Sequence, residues 1–288
     1  MAYLLFKYLS FNEDWYNIDN KSKQRYEMYN ILVTNDDGYE AKGLLELVKS
    51  LRDIDGVKVT VVAPANEKSA CGHSLTLVRP LRFVSVDDDF YKLDDGTPSD
   101  CVYLSLNSIF GGVKPDLLVS GINRGSNMGE DITYSGTAAG AMEGVLHDIP
   151  SIAISQVMDF TDPSGDFTLA SKFIKDLVIK IKKGSFPLPK REFLNVNIPY
   201  AKKEAEVKVT YAGYRHYAND AHMHRNPRGE EFYWLGLHPL TFSPREGQSA
   251  MSDCEATEAG YISITPIMLD LSAYKSMKGL ESWLDMTE

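Results

Sequence analysis

The chain has few cysteines, and none lies at a spacing where cysteine commonly binds zinc. Cys71, Cys101 and Cys254 are the three cysteines among 288 residues, and no Cys-x-x-Cys pair or Cys/His zinc spacing occurs. A disulfide scaffold and a structural zinc site are therefore not predicted. We expect three free and mostly buried thiols in the reducing environment of the cytoplasm.

Long apolar runs are also missing. No stretch approaches the roughly 20 apolar residues that a membrane-spanning helix needs. The apolar N-terminal run MAYLLFKYLSF is interrupted by Lys7 and is followed by no small-residue cleavage site, so it is interpreted as neither a signal peptide nor an anchor. We expect a cytoplasmic protein without a membrane partner.

Positive charge is in deficit. Lysine and arginine together number 30 against 40 aspartates and glutamates, which gives a net charge of −10. Binders of nucleic-acid polymers usually carry a basic patch or stripe, so no nucleic-acid polymer is expected as a partner. A small anionic substrate stays compatible, because a metal ion or a local dipole can override the overall sign.

Three common motifs of nucleotide binding and hydrolysis are absent. The chain has no G-x-x-x-x-G-K-[ST] P-loop, and no G-x-G-x-x-G follows its first predicted strand. It also lacks a G-x-S-x-G nucleophile elbow. A P-loop enzyme, a dinucleotide-binding domain and a serine hydrolase of the elbow type are therefore not predicted.

The sequence that remains alternates buried-type strands with helical patterns. Short apolar runs predict strands near residues 31–34, 57–62, 116–121, 151–155 and 193–199. Helical spacing between the runs predicts a parallel sheet covered on both faces. After Pro199, β-rich segments separated by polar loops predict antiparallel hairpins. The expected fold class is α/β, a Rossmann-like wound parallel sheet with a β-rich C-terminal extension.

The same patterns divide the chain into three parts. Residues 1–28 lack a clear period and are expected to form an N-terminal extension of open role. Residues 29–200 are expected to form the α/β core. Residues 201–288 are expected to form a β-rich C-terminal region with antiparallel hairpins and a tail.

Two adjacent carboxylates follow the first predicted strand. Asp36 and Asp37 lie between Asn35 and Gly38, directly behind the apolar run that ends at Thr34. Parallel α/β sheets bind ligands at the carboxyl ends of their strands, and two neighbouring carboxylates repel each other unless a cation relieves them. Aspartate and glycine are also common in turns. An acidic turn and a cation site both stay open on this observation alone.

The loop after the 116–121 strand is long and rich in glycine and asparagine. It carries Asn123 near the strand end and reaches Ser135, Gly136 and Thr137 just before a predicted helix. Long loops in compact domains are usually functional. N–H groups at a helix start, a glycine and two hydroxyls suit a phosphate cradle, although Ser135 or Thr137 could instead be an ordinary N-cap.

Two further loops are predicted at the same edge of the sheet. The loop APANEKSACGHS after the second strand holds Ser69 and is a candidate second wall of the site. Gly96 and Thr97 form a turn ahead of another predicted helix. They either line the pocket or merely cap that helix.

Five segments, in this order, resemble the SurE family of stationary-phase survival proteins, which are metal-dependent phosphatases that act on nucleoside monophosphates. They are ILVTNDDGYEAKGL, VVAPANEKSACGHSLTL, DGTPSDCVYLSL, DLLVSGINRGSNMGEDITYSGTAAGAMEG and PSIAIS. The later FLNVNIP, NPRGEEFYWLG and EAGYISITPI are similar to the C-terminal half of the family. The resemblance covers roughly residues 29–267.

The resemblance implies a metal held by four side chains, Asp36, Asp37, Ser69 and Asn123. All four are oxygen donors, which suits one hard divalent ion per subunit, Mg²⁺ or Mn²⁺. Asp36 is expected to act as the general base and Asp37 mainly as a ligand, although adjacent carboxylates can exchange these roles. Asn123 and residues 135–137 are expected to hold the phosphoryl oxygens.

The implied reaction is hydrolysis of nucleoside 5′-monophosphates, with 3′-monophosphates as a second substrate class. A broad acid phosphatase or exopolyphosphatase, and a nucleotide-sensing module without turnover, remain as alternatives. The family exchanges a C-terminal hairpin between subunits, so the resemblance also implies a swapped hairpin and a homodimer or homotetramer. The segment 214–229, with His222 and His224, is interpreted as a loop near the mouth of the site.

Overall fold

The computed structural model describes residues 28–159, 165–200, 202–216, 220–236 and 241–285. Apart from Met28, the predicted N-terminal extension lies outside these described residues. Within the same ranges, no helix is long and apolar enough to cross a membrane.

The first part of the described chain alternates strands with helices, as the apolar runs predict. In chain order it forms β1 (Tyr29–Thr34), α1 (Lys42–Arg52), β2 (Val57–Pro64), β3 (Arg82–Asp87), β4 (Phe90–Asp94), α2 (Pro98–Asn107), β5 (Leu117–Arg124), a 3₁₀ helix (Gly129–Thr133), α3 (Gly136–Leu146), β6 (Ser151–Gln156), α4 (Thr168–Lys183) and β7 (Glu192–Ile198). The strand predicted at 116–121 thus continues to Arg124 at the site.

The C-terminal part is rich in short strands. It forms β8 (Val207–Val209), β9 (Tyr214–His216), β10 (Asp220–Arg225), β11 (Glu231–Gly236), β12 (Thr241–Ser243), α5 (Asp253–Glu258), β13 (Ile262–Met268) and α6 (Tyr274–Asp285). β10 pairs antiparallel with β11, and β12 pairs antiparallel with β9. The prediction of a loop over 214–229 is wrong for residues 214–216 and 220–225, which form strands paired with β12 and β11, whereas residues 226–229 form the turn between β10 and β11. The helices α5 and α6 were not predicted.

One nine-stranded sheet organises the molecule in the order β3-β4-β2-β1-β5-β6-β7-β13-β8. The six strands from β4 to β7 in this order are parallel. β3 pairs antiparallel with β4, and β13 pairs antiparallel with β7. The predicted α/β class with a β-rich C-terminal extension is confirmed, and β8 and β13 of that extension continue the same sheet.

Helices cover both faces of the sheet. α1 and α4 pack on one face and α2 and α3 on the other. On α1, Leu44, Leu47 and Leu51 recur at helical spacing and are all fully buried. Each such side chain contributes about 1.5–3 kcal/mol through burial, so this apolar stripe fixes α1 against β5 and β2.

Candidate active site

The crevice between β1 and β5 lies at the topological switch point of the sheet. β1 has β2 on one side and β5 on the other, so the loops that leave the carboxyl ends of β1 and β5 diverge. Wound parallel sheets bind ligands in such a crevice. Residues 35–38 follow β1, while Asn123 and Arg124 end β5. The two predicted loops therefore meet at this edge.

The Asp36 side chain is buried against the start of α3. It is 4% exposed, and its carboxylate accepts a hydrogen bond from the Thr137 hydroxyl. Burial raises the pKa of this carboxyl, whereas hydrogen bonds from Thr137 and from the backbone of Gly136 lower it. Because a helix N-terminus favours a nearby anion, α3 offsets part of the cost of burying the charge.

No side chain larger than that of glycine fits at position 136. A Cβ there would lie 2.7 Å from Asp36 Cβ, 2.8 Å from Asp36 Oδ2 and 3.0 Å from Cys71 Sγ. Burial raises the pKa of the Cys71 thiol to about 11, so this neighbour is neutral at neutral pH. Gly136 therefore allows the first turn of α3 to lie directly on the Asp36 carboxylate.

Asp37 carries the second carboxylate, half-buried beside the first. Its Oδ2 accepts a hydrogen bond of 3.0 Å from the Arg124 N–H, which joins the loop after β1 to the end of β5. Burial and the Asp36 charge raise the pKa of Asp37 to about 6, and Glu67 adds to this rise. Keeping both carboxylates ionised therefore carries a free-energy cost that a bound cation would relieve.

Ser69 lies on the loop after β2, which forms the adjacent wall of the crevice. The N–H of Lys68 donates to the Asp36 carbonyl oxygen at 2.7 Å, so this loop is joined to the residue of the first carboxylate. The exposed Ser69 hydroxyl donates to Glu67 Oε1 at 2.7 Å. Glu67 was not predicted from the sequence, although its charge acts on Asp37 as well.

Asn123 presents a half-buried carboxamide at the end of β5. Its Nδ2 donates to the Gly125 carbonyl oxygen at 2.8 Å. That bond uses the amide nitrogen, so the amide oxygen, which is the atom able to bind a metal ion, takes no part in it. The orientation of Asn123 therefore fits the predicted role as a ligand.

Ser135 is the N-cap of α3. Its hydroxyl accepts a hydrogen bond of 2.9 Å from the Ala138 N–H, which confirms the capping alternative for this residue. The Thr137 hydroxyl donates to Asp36 instead. Both hydroxyls have protein partners, and contact between residues 135–137 and a phosphate stays a prediction.

Gly96 and Thr97 have structural roles at the start of α2. The Thr97 hydroxyl accepts from the Asp100 N–H at 3.1 Å and donates to the Ser74 carbonyl oxygen at 2.7 Å. A Cβ on Gly96 would lie 2.3 Å from a methyl carbon of Leu93, so this residue packs against the core. These contacts favour the capping alternative over the lining of a substrate pocket for Thr97, and a role of Gly96 and Thr97 in binding substrate or phosphate stays a prediction.

The sequence matches a protein-family model described as Survival protein SurE over residues 31–219. The chain belongs to the SurE family. A protein named 5′-nucleotidase SurE from Sulfurimonas denitrificans is 76% identical over 262 residues, which are 89% of this chain and 99% of that protein. A protein of the same name from Nitratiruptor sp. is 57% identical over 262 residues, which are 89% of this chain and 100% of that protein.

A solved SurE structure has the same fold. The crystal structure of the SurE protein from Aquifex aeolicus matches with a TM-score of 0.73 and 40% identity, and the match covers 88% of this chain and 99% of that chain. The resemblance inferred from the ordered motifs is thereby confirmed, and it extends into the C-terminal region.

In this SurE chain, a cluster of buried asparagines holds the loop after β5. The Asn127 N–H donates to Asn197 Oδ1 at 2.9 Å, and its Nδ2 donates to Ser155 Oγ at 2.8 Å. In return, Asn195 and Asn197 donate to the Asn127 carbonyl oxygen at 2.8 and 3.0 Å. These residues were not predicted. The signal was FLNVNIP, which places two asparagines on one face of a buried strand.

Proposed function

We propose that this protein is a metal-dependent phosphomonoesterase that hydrolyses nucleoside 5′-monophosphates to nucleoside and phosphate in the crevice between β1 and β5. The observation that supports this most directly is the pair of adjacent carboxylates, Asp36 and Asp37, whose pKa values are both raised by burial at the switch point. The relatives named 5′-nucleotidase SurE support the same substrate class.

The four predicted ligands fit one Mg²⁺ or Mn²⁺ ion per subunit. Asp36, Asp37, Ser69 and Asn123 supply only oxygen atoms, which hard divalent ions prefer. Within the described ranges, no group of three or more His, Cys, Asp or Glu residues is placed to hold a metal ion. The proposed site therefore relies on two carboxylates and neutral donors, so a divalent ion would neutralise the two acidic charges and could accept a phosphate oxygen at its remaining coordination positions.

The side chains of the crevice have different roles in the proposed reaction. Asp36, Asp37, Ser69 and Asn123 would hold the cation, which when bound would supply Lewis acidity towards the phosphoryl group. Asp36 orients the attacking water and accepts its proton, and its contact with Thr137 fixes the direction of the carboxylate. Asp37 is held by the Arg124 N–H and acts mainly as a ligand. Asn123 and the start of α3 face the charge that builds on the phosphoryl oxygens.

Phosphate release from a panel of substrates tests this function. The panel contains nucleoside 5′- and 3′-monophosphates, p-nitrophenyl phosphate and polyphosphate, each with Mg²⁺, Mn²⁺ or EDTA. We expect 5′-monophosphates to react fastest, EDTA to abolish turnover, and Mg²⁺ or Mn²⁺ to restore it. Asp37→Asn should lose at least about 10²-fold in kcat, whereas Asp88→Asn, an exposed acid on the β3–β4 turn, should match wild type.

The outcomes separate the alternatives. Full activity in EDTA would contradict the metal mechanism. Equal rates on p-nitrophenyl phosphate and polyphosphate would favour a broad phosphatase. Tight nucleotide binding without turnover of any ester would favour a sensing module.

We also propose that the protein is a cytoplasmic homodimer or homotetramer. The hairpin of β10 and β11 exposes Phe232, Tyr233 and Trp234 by 53%, 65% and 69%, and an isolated two-stranded hairpin is marginal in water. Exchange of this hairpin with a second copy would bury these rings. The cysteines are free thiols, which suits a reducing compartment. Light scattering that shows monomer at every concentration would contradict the assembly.

A further inference from the structure

Asp253 is a fully buried carboxylate in the C-terminal region, and it reaches the loop after β5. The residue is 0% exposed. Its Oδ2 accepts a hydrogen bond of 2.7 Å from the Gly129 N–H, and its Oδ1 accepts one of 3.0 Å from the Gly213 N–H. Oδ1 also accepts from the Cys254 N–H at 3.0 Å. One side chain therefore joins the loop after β5 to the segment between β8 and β9.

The joined backbones lie in direct contact. Gly129 has a φ of +55°, and a Cβ on this residue would lie 2.8 Å from the Gly213 carbonyl oxygen. Glycine is the residue that allows both this left-handed conformation and this close approach. The backbone of the loop after β5 therefore packs directly against the backbone of Gly213, with no side chain between the two.

A short hydrogen-bonded path leads from Gly129 to the start of α3. Gly129 is the first residue of the 3₁₀ helix, and the Ser135 N–H donates to the Asp131 carbonyl oxygen at 3.1 Å. The Arg215 guanidinium on β9 forms an ion pair with the Asp131 carboxylate. A shift of Gly129 would therefore be transmitted through this short segment to the N-cap Ser135 and to Gly136 and Thr137 at the start of α3.

A carboxylate suits this position because its two oxygens accept hydrogen bonds from two directions. A carboxamide has a single acceptor oxygen, and its amide nitrogen would face an N–H group. Burying a charge is costly unless it is hydrogen-bonded, and here backbone N–H groups provide those bonds.

We propose that Asp253 is a positioning residue for phosphoryl binding. By fixing Gly129 it holds the start of α3 in its position against Asp36 at the crevice. This inference rests on the proposed function. It makes the C-terminal region part of the machinery of the site.

The test compares full-length wild type with Asp253→Asn in steady-state hydrolysis of a nucleoside 5′-monophosphate with saturating Mn²⁺. We expect KM and the inhibition constant of inorganic phosphate each to rise by about tenfold, because the phosphoryl donors are misplaced. The dissociation constant of Mn²⁺, measured by calorimetry, should stay within about threefold of the wild-type value. The reason is that the proposed ligands lie on the loops after β1 and β2 and at the end of β5, and not on the segment that contains Gly129.

Ser252→Ala provides the matched control. Ser252 caps α5 beside Asp253 through the Glu255 N–H, so its loss weakens the same segment without removing the contact to Gly129. A purely structural role would lower the concentration of active enzyme in both variants and leave KM and phosphate inhibition unchanged. That result in Asp253→Asn would overturn the proposal.

Gly129→Ala tests the same contact from the loop side, so the proposal stays open to refutation if Asp253→Asn does not fold. The added Cβ meets the Gly213 carbonyl oxygen, and we expect the same rise in KM and in the phosphate inhibition constant. Unchanged constants in a folded Gly129→Ala variant would overturn the proposal. Wild type that hydrolyses no phosphomonoester would refute the proposed function itself, which is a different outcome from an active wild type with unaffected variants.

Discussion

Replacement of Gly136 by alanine tests whether the first turn of α3 must lie against Asp36. The new Cβ would lie 2.7 Å from Asp36 Cβ, whereas ordinary van der Waals contact begins at 3.4 Å. Because the surrounding core is close-packed, the two groups must separate by about 0.7 Å, and the Asp36 carboxylate must move with its backbone or rotate away.

The expected effect on activity is large and the expected effect on stability is small. A misplacement of about 1 Å at a reacting group can cost about 10²-fold, so we expect kcat/KM to fall by about that factor, which corresponds to about 2.7 kcal/mol. Overpacking costs about 1–3 kcal/mol, while glycine to alanine in a helix usually stabilises by about 0.5–1 kcal/mol. The variant should therefore fold with a modestly lower Tm.

The assay is phosphate release from a nucleoside 5′-monophosphate, with thermal unfolding measured on the same samples. Gly279→Ala in α6 is the control, because among the described residues nothing outside its own helix turn and chain neighbours lies within 4 Å of its added Cβ. We expect wild-type kinetics from this control. A folded Gly136→Ala variant whose kcat/KM stays within about threefold of wild type would contradict the claim that activity requires the first turn of α3 to lie against Asp36.

Three further predictions concern the crevice and the core. Thr137→Val removes the hydroxyl that donates to Asp36 and should lower kcat by about tenfold, while Thr137→Ser should retain most of it; equal activity of the two variants would contradict this role. Asn197→Leu breaks the cluster that holds Asn127 and should lower the free energy of unfolding by about 1–3 kcal/mol and also reduce kcat/KM, and an unchanged urea midpoint would contradict it. Leu47→Ala leaves a cavity at a fully buried position and should cost about 2–5 kcal/mol in urea unfolding with no change in KM, so a changed KM would show that α1 influences the site more than its packing implies.

Local signals in the sequence identify the core of the fold and the acidic pair. The buried strands are short apolar runs, and Asp36 and Asp37 follow the first of them, so an α/β sheet with an acidic loop at its edge could be predicted. The phosphate-binding residues were harder to assign, because a serine or threonine before a helix is equally suited to capping. Ser135 and Thr97 both prove to be N-caps.

Contacts between distant parts of the chain could not be predicted. Asp253 and Gly129 are separated by 124 residues, and no local pattern in the sequence near either residue indicates that the two are hydrogen-bonded. The strand β9 was missed because its polar sequence pairs with β12, which lies more than twenty positions later in the chain. Pairing with a distant strand decides whether such a segment forms a β-strand, whereas its own β-propensity does not.

The central claim is that Asp36 and Asp37 hold a divalent cation at the switch point between β1 and β5. Crystals of catalytically active protein grown with Mn²⁺ test it directly through anomalous diffraction at the manganese edge. We expect one strong peak per subunit in contact with both carboxylates, and we expect it to disappear in Asp37→Asn crystals. A strong peak elsewhere, for instance at His222 and His224 on β10, with no peak between Asp36 and Asp37, would contradict it.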